Sequence, residues 1–82
     1  MNTAIHPYKG YLNTSFHLYV RGENPLAYDV YNNEQNKSSL IFSGSANPNQ
    51  PCKIKMPQSG VYTIKFSNGE SHKIRPMGQI AG

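Results

Sequence analysis

Eighty-two residues allow one compact domain with a modest core and leave little room for a deep cleft or a large internal cavity. Apolar residues make up 37% of the chain and charged residues 15%, with Gly, Pro, Asn and Ser plentiful, a balance that suits short strands joined by turns and excludes long helices. Eight Lys and Arg against four acidic residues give a net charge of +4, which favours an acidic partner surface without identifying it.

In chain order, residues 1–13 hold Tyr8 and Tyr11 among small and polar neighbours and are read as an arm, part of which can supply a first strand. Over residues 16–20, Phe16, Leu18 and Val20 alternate with His17 and Tyr19, the period of a half-buried strand. A turn cluster at 21–25 leads into a second strand over 26–31, with Tyr28 and Val30 inward and Asp29 outward. Residues 32–37 are then expected to be a polar loop. Residues 39–43 form a short strand whose inward face stays open, because Leu40, Ile41 and Phe42 run together. An irregular loop over 44–51 follows. Cys52, Ile54 and Met56 alternate with Lys53 and Lys55 in the cleanest two-faced strand of the chain.

The next strand, 61–66, places Tyr62, Ile64 and Phe66 on one face, and Ser67-Asn68-Gly69 turns it into a last strand over 70–75. Register decides the loop length. A two-residue loop would set Ile64 opposite Lys73 and Tyr62 opposite Arg75, with charge on the core face. A three-residue loop with Gly69 in a left-handed conformation sets Ile64 opposite His72 and Tyr62 opposite Ile74, and is the expectation. The core is therefore expected to contain Phe16, Leu18, Val20, Tyr28, Val30, Ile54, Ile64, Phe66 and Ile74. Residues 77–82 form a tail without pattern.

Strands spaced by about ten residues with turn signals between them are the signature of a sandwich or barrel. Ser59-Gly60-Val61-Tyr62-Thr63-Ile64 resembles the segment entering strand F of immunoglobulin-like domains, in which a Gly precedes a corner Tyr. The resemblance implies an all-β, immunoglobulin-like antiparallel sandwich of about seven strands over residues 14–76, with no disulfide. Gly60 and Tyr62 would form the structural corner, the Tyr62 hydroxyl bonding upstream backbone. Ile64 stands where antibody domains carry their second cysteine, Leu18 is its apolar counterpart, and tryptophan is absent, so the likeness is to fibronectin-type-III-like or bacterial immunoglobulin-like domains. The chain further resembles the small immunoglobulin-like accessory proteins that decorate the heads or tails of tailed bacteriophages, which are short and lack signals and disulfides.

Candidate chemistry is sparse. His6, His17 and His72 show no ligand spacing with each other or with Cys52, so no metal site and no cofactor are expected. Cys52 lies on a core-facing strand position and reads as a small hydrophobe rather than a nucleophile. Glu23, Asp29, Glu34 and Glu70 fall in separate elements, and no Gly-rich phosphate loop occurs. A single cysteine permits no internal disulfide. With no signal-like or membrane-spanning run in the sequence, assembly in a host cytoplasm followed by residence in a virion is expected, the alternative being a bacterial cell surface as part of a longer protein.

Outward positions carry the functional expectation. His17, Tyr19 and Arg21 should lie near Lys53 and Lys55 on one sheet, and Lys65, Lys73 and Arg75 near Tyr31 on the other. Tyrosines beyond those a small core absorbs suit protein interfaces. The expected function is a non-enzymatic structural module that docks on capsid or tail proteins through Tyr8, Tyr11, Lys65, Lys73 and Arg75, with self-association as a further possibility. A carbohydrate-binding or adhesin-like module using exposed tyrosines is the alternative. Scattered basic residues without an arginine cluster make nucleic acid a weaker partner.

Overall fold

The computed structural model describes residues 1–7, 15–57 and 59–76. Among them are seven strands and no helix: β1 (Thr3–Pro7), β2 (Ser15–Val20), β3 (Leu26–Glu34), β4 (Lys37–Ala46), β5 (Cys52–Lys55), β6 (Tyr62–Phe66) and β7 (Ser71–Ile74). They form two antiparallel sheets, one of order β1-β2-β5 and one of order β4-β3-β6-β7. The architecture is an all-β sandwich.

The alternating apolar residues meet between the sheets. Phe16, Leu18, Val20 and Ile54 come from the three-stranded sheet, and Tyr28, Val30, Tyr62, Ile64 and Phe66 from the four-stranded one, with Ala46 and Met56 completing the buried cluster. Leu18, Val30, Met56, Tyr62 and Ile64 are fully buried, and burying a side chain of that size stabilises the fold by roughly 1.5–3 kcal/mol. Ile74, expected in the core, sits half-buried at its rim, because β7 is an edge strand with only one flank covered.

Two backbone devices set the register. Between β6 and β7, Gly69 has φ +95°, its N–H donates to the Phe66 carbonyl at 3.0 Å, and Ile64 pairs with His72 and Tyr62 with Ile74. The three-residue loop keeps Lys73 off the core face, as expected. Between β3 and β4, by contrast, the expected polar loop over 32–37 is almost all strand. Only Gln35 and Asn36 turn, both at positive φ, which fits the twist of a two-residue hairpin. The sequence carries no strand period there because the hairpin tip is wet on both faces: Glu34 through Leu40 are exposed. β4 likewise continues to Ala46, three residues into the expected 44–51 loop.

A bulge accounts for the ambiguous Leu40-Ile41-Phe42 run. Tyr31 pairs with Leu40 and Val30 with Phe42, so Ile41 is the extra residue and the facing of β4 changes phase there. Leu40 points out, while Ile41 and Phe42 pack partly against the core.

Part of the N-terminal arm supplies a first strand, as the sequence allowed. Residues Thr3–Pro7 pair with β2 along their whole length, Thr3 opposite Val20 and Pro7 opposite Phe16. Glu70 then ties this strand to the opposite sheet. Its Oε1 accepts from the Thr3 N–H (3.1 Å) and hydroxyl (2.6 Å), and its Oε2 accepts from the Asn2 N–H (2.9 Å) and the Asn68 amide (2.8 Å). These bonds, the Thr3 hydroxyl first, pull the Glu70 carboxyl down to about 2. With the hydroxyl proton committed to Glu70, the 2.7 Å contact between Thr3 Oγ1 and His72 requires His72 to donate from Nε2.

Candidate interaction surface

The outer face of the four-stranded sheet is built by the residues that alternate with the core. β3 presents Asp29, Tyr31 and Asn33, β6 presents Thr63 and Lys65, and β7 presents Ser71 and Lys73. Register draws them into rows: Leu40, Tyr31, Thr63 and Lys73 lie side by side across all four strands. Lys65, one position along the same face, holds its ammonium 5.2 Å from the centre of the Tyr31 ring, within reach of a cation–π attraction.

The row is flanked by polar pairs that hold its neighbours still. The Asn33 amide donates to the Thr63 hydroxyl, the Ser38 hydroxyl donates to Asn33 Oδ1 at 3.1 Å, and the Ser43 hydroxyl donates to Asp29. Leu40 is 57% exposed at one end of the row, a large apolar side chain in water beside Tyr31, with Lys73 at the other end. The combination is an amphipathic patch with a fixed polar frame.

The outer face of the three-stranded sheet differs. His6 pairs with His17 and His17 with Lys53, so the two imidazoles and an ammonium form one cross-strand row. Tyr19 leans on both rings, its centroid 5.6 Å from His6 and 6.0 Å from His17. Toward the end of the sheet Tyr19 also borders an open depression with Pro48, Asn49, Gln50 and Pro51.

Of the residues expected to bind a partner, Lys65 and Lys73 share the amphipathic face, and exposed Arg75 follows the end of β7. Tyr8 and Tyr11 lie outside the described residues. Leu40 and Thr63 are part of the surface that sequence reasoning passed over; the phase change at Ile41 hid Leu40, and Thr63 showed only as an outward polar position. At the expected corner, Tyr62 is fully buried, Gly60 has φ +152°, and its N–H donates to the Pro76 carbonyl at 3.3 Å. Tyr28 is also in the core, and its burial, aided by a 3.8 Å contact with the Cys52 sulfur, pushes its hydroxyl up to about 12.

Among the described residues no group of three or more His, Cys, Asp or Glu side chains could hold a metal ion. No helix of the described residues is long and apolar enough to cross a membrane. Comparison with known proteins gave no matching family model, no matching curated protein and no matching solved structure.

Proposed function

We propose that this protein is a non-enzymatic interaction module of the immunoglobulin-like class that docks on a larger protein assembly through the outer face of its four-stranded sheet. The observation that carries the reading is the row of exposed Leu40, half-buried Tyr31 and exposed Lys73, with Lys65 over the Tyr31 ring, in a frame of hydrogen-bonded polar side chains. An apolar residue and an aromatic ring supply area to bury, and the lysines supply attraction to an acidic partner. The class assignment is supported by strand order: β1-β2-β5 against β4-β3-β6-β7 corresponds to strands A-B-E against C′-C-F-G, with Tyr62 at the start of F.

The assembly we propose is a virion, with the chain as a capsid or tail decoration protein made in the host cytoplasm. Co-sedimentation of the purified chain with particles assembled from the structural genes beside its own tests this. Lys65→Glu combined with Lys73→Glu should lower the bound fraction about tenfold at low salt and remove most of its salt sensitivity, since exposed charges contribute up to about 1 kcal/mol each. Binding that ignores both charge reversals sinks the docking face, and the absence of capsid or tail genes nearby sinks the virion.

A carbohydrate-binding reading keeps one specific observation in its favour. Tyr19 is 39% exposed beside Asn49 and Gln50, an aromatic platform with amide donors at its edge. Saturation of the Tyr19 ring signals by oligosaccharides would favour that alternative over protein docking.

A further inference from the structure

The four sheet edges are protected unequally. β1 is five residues long and ends in Pro7, β5 is four residues with Lys53 and Lys55, and β7 is four residues with Lys73. Short length, lysine and proline are the devices that keep an edge from pairing with another chain. β4 has ten residues, and from 38 to 46 (SSLIFSGSA) it carries no charge and no proline. Among the described residues no strand pairs with its outer side.

The direction of its main-chain groups follows from β3. Asn33 N–H donates to the Val61 carbonyl and Ser67 N–H to the Ala27 carbonyl, which turns the odd-numbered residues of β3 toward β6 and the even-numbered ones toward β4. Their partners on β4 are Lys37, Ser39, Phe42, Gly44 and Ala46. Ser38, Leu40, Ser43 and Ser45 are left with N–H and C=O pointing away from the sheet, the bulge having shifted the phase between the two pairs.

We propose that β4 pairs with β4 of a second copy of this chain about a twofold axis, joining the two four-stranded sheets into one. A single antiparallel register matches all four outward positions: Ser38 opposite Ser45 and Leu40 opposite Ser43 of the second copy. In that register Lys37 meets Ala46, so no like charges face each other. Spacing selects this occupant over a foreign strand. The outward positions 38, 40, 43 and 45 are not an unbroken two-residue series, so a regular strand falls out of phase with them at the bulge, whereas a second copy brings the same break to the same place. The twofold contact closes on itself and does not propagate.

Sedimentation equilibrium of the full chain over rising concentration tests the pairing, together with amide exchange. A concentration-dependent dimer is expected, with the amides of Ser38, Leu40, Ser43 and Ser45 protected only in the dimer. Ser45→Pro removes an outward donor that the sheet does not use, and should weaken dimerisation at least tenfold with an unchanged circular dichroism spectrum. Should that variant fail to fold, Leu40→Lys restores a protecting charge at an exposed position and should have the same effect. A chain that stays monomeric to millimolar concentration, a dimer indifferent to both substitutions, or open-ended filaments would each overturn the proposal. Lys65 and Lys73 stand on other strands, so self-pairing and docking can fail separately.

Discussion

A methyl group at Gly44 would lie 2.5 Å from the Tyr28 hydroxyl and 2.7 Å from the ring carbon that bears it. Tyr28 is 7% exposed, wedged against Phe66 with ring centroids 6.2 Å apart, so the ring has little room to retreat. Gly44→Ala should therefore destabilise the protein by about 1–3 kcal/mol, the usual cost of overpacking a core, as read from the urea midpoint. An unchanged midpoint would mean that β4 can slide outward at this position. The constraint lies in tertiary contact rather than local conformation: Gly44 pairs with Tyr28 across the sheet, and nothing in the Ser-Gly-Ser sequence around it announces a ring overhead.

At the scale of elements, the clasp between β1 and the β6–β7 hairpin makes stability depend on acid. Glu70 is held at about 2 in the folded chain against an ordinary 4.5, so it binds its proton more weakly folded than unfolded. Its contribution is fully present above pH 4.5 and is lost as pH falls toward 2. Urea midpoints measured across that window should fall for the native chain. Glu70→Gln should lower the midpoint at neutral pH and flatten the acid limb, so that the two proteins converge near pH 2. Parallel curves for the two would show that the carboxylate is not what joins β1 to the second sheet. The clasp also explains why the first residues do not behave as a detachable arm: Thr3 is buried and bonded to a residue 67 positions away.

For the whole molecule, stability rests on one apolar cluster shared by two sheets, with no covalent staple available to a chain with a single cysteine. Reductant and chelator should both leave the melting temperature of the native chain unchanged. A fall with chelator would reveal a ligand set that includes residues beyond those described, and a fall with reductant would point to an intermolecular Cys52 bridge. Docking and self-pairing use different groups of the same sheet, the side chains of its outer face and the main chain of its edge, so one copy can serve both at once.

Alternation was enough to mark the strands and the faces they bury. Phe16, Leu18 and Val20, then Tyr28 and Val30, then Tyr62, Ile64 and Phe66 can bury one face only as strands, and the Ser67-Asn68-Gly69 loop leaves one register that keeps Lys73 out of the core. Lys65 and Lys73 beside Tyr31 were legible for the same reason, since period two sends them to the opposite face. Only the tertiary structure decided the rest. The wet tip of the β3–β4 hairpin has no apolar period to read, and the Ile41 bulge reverses the period that β4 does have. The grip of Glu70 on Thr3 joins residues distant in sequence, and whether an edge is covered depends on which strand lies beside it in space. Local sequence encodes which way a side chain faces, while strand order and long-range hydrogen bonds belong to the packed chain as a whole.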